Sequence, residues 1–270
     1  MEILIKSKEI NPQVSIIVPV KKISKWIGLI RKNLLICSLN NLSVEFIFVC
    51  TKCSDDDSIL DLLDLFPLVK GSTVNAQIVT TIEPGIYAAM NRGIFHAKGI
   101  YLLFLGADDE LLGPFAYTVQ QLNSTIDSPC VFAEAKLNCQ NQQLSYKYSA
   151  GRSGQIHWLL GMPRIHQAIF YNLKYLIKNN ITYSTKLKIC SDYILTSEIL
   201  SDYGGEITSF NECIVSYNIT GYSSNFDSSA LYVEHILGFW HNLKLRKYLP
   251  LIVLTRMVLI LFKTLSKHSK

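Results

Sequence analysis

The sequence predicts an α/β protein built on a mostly parallel sheet, with a helical extension at its C-terminus. Three observations carry that prediction. Apolar runs rich in β-branched and aromatic residues alternate with helix-like stretches through the first hundred residues. Several of these runs carry consecutive apolar residues rather than one at every second position, as in strands covered on both faces of a parallel sheet. One of them, Tyr101-Leu-Leu-Phe-Leu105, is followed almost at once by two adjacent carboxylates, Asp108 and Asp109. Unpaired charge is costly to bury, so such a pair belongs at a strand's open end, facing solvent, a cation or a ligand.

Taken in order, Val14–Val20 is a β-branched run ending at a proline, the look of a buried parallel strand. Ser24 is the expected N-cap of a helix through Cys37, with Trp26, Ile27, Ile30 and Leu34 at helical spacing. Val44–Cys50 is a second strand. Ser54-Asp-Asp-Asp57 is expected to open a helix over Ile59–Phe66, its acids complementing the helix dipole. Val74–Thr80 is a third strand, and Gly85–Ala97 a helix with Ile86, Met90 and Ile94 on one face. Ile100–Leu105 then delivers the acidic pair. This β-α-β-α-β-α-β order implies right-handed crossovers, and ligands on such sheets gather outside the carboxyl ends of the strands.

Beyond Pro114 the pattern is less regular. Val131–Leu137 and Leu144–Tyr148 read as a hairpin, His166–Tyr171 as a strand, Ser191–Leu200 as a helix and Ile207–Tyr217 as a strand. No repeat or linker divides the chain before residue 225. One domain over 1–227, followed by a helical extension over 228–270, is the expected organisation.

Composition narrows the function classes. With 49% apolar and 17% charged residues among 270, the chain is a folded protein with one sizeable core. The net charge of +5 is unevenly placed. Residues 241–270 hold seven Lys/Arg and no acid, which leaves 19 basic against 21 acidic residues, a formal −2, for the rest. That argues against a general nucleic-acid surface and for a local anionic partner such as a lipid headgroup. The start of the chain does not read as a secretory leader, and no apolar run approaches the roughly 20 residues of a membrane span. Seven scattered cysteines are expected to be reduced thiols of a cytosolic protein. Cys50-Thr-Lys-Cys53 is a CxxC without the second half of a zinc site.

The acidic pair admits two readings from the residues alone: a cation or ligand site, or a cap for a helix begun by Glu110-Leu111-Leu112. Asp192 likewise reads as a chemical base or as the cap of the helix near Tyr193.

Three blocks move the balance. Val14–Val20, Glu83-Pro-Gly-Ile-Tyr-Ala-Ala-Met-Asn-Arg-Gly93 and Gly99–Asp109 together resemble a family 2 glycosyltransferase, of the kind that builds bacterial capsule, O-antigen and colanic-acid-type polysaccharides. Arg164-Ile-His-Gln167, Ile189-Cys-Ser-Asp-Tyr193 and Gly221-Tyr-Ser-Ser224 resemble later blocks of that family in the same order. The resemblance implies a GT-A fold that moves a sugar from a nucleotide-diphosphate donor with inversion. It implies that Asp109, with Asp108, binds Mn²⁺ or Mg²⁺, and that Asp108 faces the ribose. Pro19, Val20, Glu83, Tyr87, Asn91 and Arg92 fall in the blocks that line the donor site. Asp192 matches the general base, and Arg164, His166 and Gln167 the acceptor or diphosphate side.

Two positions depart from the family pattern. Cys50 stands where relatives carry an Asp that reads the base, and Ala88 where the Gly-Ile-Tyr block continues with Asp. They motivate a second reading, a catalytically weak relative that serves as a membrane-bound assembly partner in a polysaccharide complex. A nucleotidyltransferase ranks last, because Val20-Lys-Lys-Ile-Ser24 has lysines but no glycines.

The tail Leu249–Phe262 is strongly apolar, interrupted by Arg256 and flanked by lysines. Pro250 suits the first turn of a helix. Too short to span and too apolar to remain solvated, it is expected to lie in a membrane interface, with packing onto the domain or a second subunit as the alternative. The resulting expectation is an enzyme peripheral to the inner face of the cell membrane, acting on a glycan or polyprenyl-diphosphate-linked acceptor, and open to oligomerisation.

Overall fold

The computed structural model describes residues 2–5, 11–21, 24–51, 56–125, 127–138, 157–219 and 228–268. Its first parallel strands are the expected ones: β2 (Val14–Val20), β3 (Val44–Thr51), β4 (Val74–Thr81) and β5 (Tyr101–Phe104). An edge strand that the sequence did not suggest, β1 (Glu2–Ile5), pairs antiparallel with β4. The helices between them are α1 (Ile27–Leu39), α2 (Asp56–Leu63) and α3 (Ile86–His96). Then come β6 (Glu110–Leu111), α4 (Pro114–Gln121), β7 (Cys130–Asn138), β8 (Ile169–Asn172), α5 (Leu173–Lys178), α6 (Ser191–Asp202) and β9 (Ser209–Asn218). Helices α7 (Ser228–His241) and α8 (Leu249–His268) form the extension.

The nine strands among the described residues form one sheet in the order β1-β4-β3-β2-β5-β8-β7-β9-β6. Residue parity along the strands builds two cores. Val14, Ile16, Val18, Phe46, Phe48, Leu103 and Leu105 face α1, α2 and α4. Ile17, Ile47, Val49, Leu102 and Phe104 face α3, α5 and α6. From β2 the chain winds one way through β3 to β4, then α3 crosses the opposite face to return β5 to the other side of β2. Right-handed crossovers in opposite directions put the helices on opposite faces and open a crevice at the carboxyl ends of β2 and β5. The acidic pair lies there.

Several local expectations are corrected. Ser24 begins a short 3-10 turn, and α1 starts after Trp26 without a side-chain cap. Glu110-Leu111 begins no helix: it pairs with β9, so neither Asp108 nor Asp109 is a helix cap. His166–Ala168 is a 3-10 turn, and the strand starts only at Ile169. β7 pairs with β8 and β9, while the expected partner Leu144–Tyr148 lies outside the described residues. The extension is not detached. Phe239, Leu245 and Ile252 share a buried cluster with Trp158, Leu187, Tyr193 and Ile194 of the sheet domain.

Candidate active site

The loop after β5 turns back on itself so that both carboxylates rest against Gly106. A Cβ on Gly106 would stand 2.6 Å from Asp109 Oδ2 and 2.7 Å from Asp108 Oδ1, so any larger residue would have to push the carboxylates aside. Asp109 is 1% exposed. Its Oδ2 accepts from the Gly106 N–H at 2.9 Å and its Oδ1 from the Asn218 N–H at 3.0 Å. Gln167 adds a side-chain bond. Burial nevertheless dominates and pushes the Asp109 carboxyl up to about 7, with the Asp108 charge adding to the rise. Asp108 is half-buried and accepts from Asn218 Nδ2 at 3.3 Å. Of the two carboxylates, Asp108 is the one that opens to solvent.

Asn33, buried on α1, fixes the far side of this loop. Its Nδ2 donates to the Asp109 carbonyl at 2.9 Å and its Oδ1 accepts from the Leu111 N–H at 2.8 Å. Nothing in the sequence marks Asn33, because an Asn on a helix reads as part of a solvated face. Asn218 gave no signal either.

Across the crevice, Asp192 sits in the first turn of α6. It does not cap that helix, whose N-cap is Cys190. Asp192 Oδ1 accepts from the Tyr193 N–H at 2.9 Å and, weakly, from the Tyr87 hydroxyl at 3.4 Å. Burial pushes its carboxyl up to about 6 against these bonds, and Glu234 adds to the rise. A carboxyl tuned towards neutrality is suited to taking and releasing a proton.

Both acidic sites open into one cavity of about 650 Å³. Among the expected residues it is lined by Pro19, Tyr87, Asp108, Asp109, Arg164, His166, Gln167 and Asp192. Lys21, Trp26, Met162 and Lys188 also line it, unmarked in the sequence reading. Lys21, Arg164 and Lys188 give the cavity cations to set against its three carboxylates.

Four expected donor-site residues do not reach it. Val20 is buried in the core. Asn91 spends its amide on the backbone of Tyr183, with Nδ2 to the carbonyl and the N–H to Oδ1, both at 2.9 Å. Arg92 lies over the Phe95 ring at 5.5 Å, and Glu83 is exposed outside the lining. His166 does line the cavity, but burial drives its imidazole down to about 3. Neutral at physiological pH, it bonds Tyr183 Oη at 2.7 Å and stacks on Phe104, so it brings no charge to a diphosphate. Cys50 is buried, and burial raises its thiol to about 11. Cys53 and Gly221–Ser224 lie outside the described residues.

Among the described residues no group of three or more His, Cys, Asp or Glu is placed to hold a metal. One open carboxylate, Asp108, suffices for a cation that completes its shell with water and substrate phosphates, as Mg²⁺ does. The residues present fit such an ion.

Comparison with solved structures places the architecture. The S. aureus TarS fragment 1–349 superposes with a TM-score of 0.64 at 15% identity, covering 85% of this chain and 66% of that one. The fold is GT-A. The same fragment was crystallised with UDP and with UDP-GlcNAc, each at a TM-score of 0.61. The mannosyltransferase PcManGT from Pyrobaculum calidifontis, in complex with GDP-Man and Mn²⁺, matches at a TM-score of 0.54 and 14% identity, covering 93% of this chain and 74% of that one. In sequence, the chain is 27% identical over 184 residues to the PGL/p-HBAD biosynthesis glycosyltransferases of Mycobacterium tuberculosis and Mycobacterium bovis, covering 67% of its own length and 68% of theirs. No protein-family model matches the sequence.

Proposed function

We propose that this protein is an inverting glycosyltransferase that moves a sugar from a nucleotide-diphosphate donor to a hydroxyl of a lipid-linked glycan in bacterial surface polysaccharide synthesis. One observation carries the reading: the Asp108–Asp109 pair and Asp192 face the same cavity at the switch point of a GT-A sheet. The glycosyltransferases to which the chain is similar support the reaction class, and the sugar nucleotides bound by its structural neighbours support the donor class.

Asp108 would hold Mn²⁺ or Mg²⁺, with Asp109 beneath it fixing the loop. Such an ion would neutralise charge on the departing nucleoside diphosphate. Lys21 and Arg164, which line the cavity, would pair with the same phosphates. Trp26 and Pro19 flank the β2 side of the cavity and suit the flat nucleoside. Asp192 takes the proton of the acceptor hydroxyl as that oxygen bonds to the anomeric carbon. The carbon–oxygen bond to the diphosphate breaks on the opposite face, and its electron pair leaves with the nucleotide. Inversion needs one base and no covalent intermediate.

The outer side of the extension supports a membrane-docked enzyme. At about 100° per residue, Ile252 and Arg256 face inward on α8 while Leu254, Met257, Val258 and Leu261 share the exposed side. Exposed Trp240 and Leu243, with Arg246 and Lys247, lie in the segment just before the helix. Apolar anchors with flanking cations and no acids suit an anionic headgroup layer. No helix among the described residues is long and apolar enough to cross a membrane. We place the enzyme on the cytoplasmic face of the membrane, where nucleotide sugars are available.

The test is Mn²⁺-dependent turnover of UDP- and GDP-sugars by the purified chain. Turnover that Asp108→Asn and Asp192→Asn each abolish is the expected result. A chain that neither binds nor hydrolyses any donor would instead favour the assembly-partner reading.

A further inference from the structure

We propose that Glu234 and Arg256, both in the C-terminal extension, are positioning residues for Asp192, so that the extension completes the transfer site. The proposal rests on the assignment of Asp192 as the base. Helix α6 lacks a side-chain cap of its own, since Cys190 contributes none. The three backbone N–H groups just before it, those of Lys188, Ile189 and Cys190, turn instead to one carboxylate on α7. Glu234 Oε1 accepts from Lys188 at 2.9 Å, and Oε2 accepts from Ile189 at 2.8 Å and Cys190 at 3.2 Å. A carboxylate on successive backbone donors at a helix start is a strong, charge-assisted clamp. This one reaches across from a helix more than forty residues later and grips the segment immediately before Asp192.

The residue after Asp192 is held from the other side. Arg256 Nη2 donates to Tyr193 Oη at 3.1 Å, and the guanidinium lies 5.8 Å from the Tyr193 ring centroid. Its Nε donates to His235 Nδ1 at 3.0 Å and its Nη1 to the Leu160 carbonyl at 3.0 Å. Arg256 is 1% exposed, and among the described residues its contacts are neutral groups and rings rather than a carboxylate. A buried cation that meets no carboxylate among the described residues is an expensive way to join two helices that hydrophobic packing could join alone. What it adds is direction, because a planar fork fixes three partners at once. Close approach is built in as well: a Cβ on Gly238 of α7 would stand 2.5 Å from the Ile194 side chain on α6. The short segment that carries Asp192 is thus fixed on both flanks by the extension, and the Leu160 contact runs to the chain beside Met162, which lines the cavity.

The experiment compares full-length parent, Glu234→Ala, Glu234→Gln and Arg256→Lys with Mn²⁺ and a turned-over sugar nucleotide, alongside amide hydrogen exchange over residues 186–196. A displaced base loses rate rather than affinity, so Glu234→Ala should lower kcat about 10–100-fold with the donor KM within about twofold. It should deprotect the amides of Lys188, Ile189 and Cys190 while the sheet stays protected. Glu234→Gln keeps an acceptor oxygen and should recover part of the rate, and Arg256→Lys should show a smaller kcat loss of the same kind. Unchanged exchange at 188–193, or parental kcat despite local deprotection, overturns the proposal. So does deprotection spread over the whole sheet, which marks a merely structural role. A parent that turns over no donor overturns the base assignment itself, and the exchange pattern, read without turnover, tells the two failures apart.

Discussion

The backbone N–H of Asn218 donates to Oδ1 of Asp109 at 3.0 Å, tying the end of β9 to the loop after β5. With the Gly106 N–H on the other oxygen, Asp109 serves as a buried acceptor for two backbone donors. Asp109→Asn would aim an amide N–H₂ at one of those donors. An unsatisfied buried N–H costs about 1–3 kcal/mol, so this variant should lower the midpoint of chemical denaturation. Asp108→Asn, at a half-buried position, should fold normally and weaken Mn²⁺-dependent donor binding at least about tenfold, the loss of one charge-assisted ligand. Denaturation curves and calorimetric titration with UDP- and GDP-sugars check both.

The raised carboxyls also give a pH dependence without metal. Asp109 near 7 and Asp192 near 6 both lie above their ordinary value of 3.8, so the folded chain binds more protons than the unfolded one between about pH 4 and 7. Their contribution to stability is full below that window and lost as the pH rises through it. With chelator present, Tm should fall more steeply over this window for the parent than for Asp192→Asn, which cannot titrate. Identical slopes would contradict the assignment.

Transfer should follow the opposite trend, because the base must be ionised. The rate should rise through about pH 6 as Asp192 loses its proton. Tyr87 bonds that carboxylate and holds its pKa down, while the Glu234 charge holds it up. Tyr87→Phe should therefore move the rising limb to higher pH, and Glu234→Gln to lower pH. The pH profile of kcat for the two variants reads both signs.

Sequence reasoning reached the parallel half of the fold because those strands are buried on both faces and so read as largely apolar, β-branched runs alternating with helical stretches. It failed where a role is set by partners distant in the chain. β1 is a four-residue edge strand, defined only by its register on β4. Asn33 frames the acidic loop from a helix whose sequence shows only an amphipathic pattern. Arg256 reads as a blemish in an apolar helix, because Leu160, Tyr193 and His235, which surround it, come from three other segments. Asn91 and Arg92 sit in the right block but on the wrong side of α3 for the cavity. Asp192 and the acidic pair were singled out by their resemblance to a family's ordered blocks, and the structure brings all three to one cavity.

Because α8 is pinned through Arg256, deleting the tail would disturb the sheet domain along with any docking surface. Surface substitutions separate the two. The triple variant Leu254→Gln, Met257→Gln, Leu261→Gln alters only the exposed side. It should lose most of its cosedimentation with anionic phospholipid vesicles and keep its Tm and its turnover of a soluble acceptor. Undiminished vesicle binding would point to another docking surface.

The most direct test of the central claim compares sugar transfer and donor affinity for the parent and Asp192→Asn at about pH 7.5 with Mn²⁺. The account predicts parental donor affinity with transfer reduced at least about 10³-fold, the scale of a lost general base. Transfer by Asp192→Asn at the parental rate would contradict it.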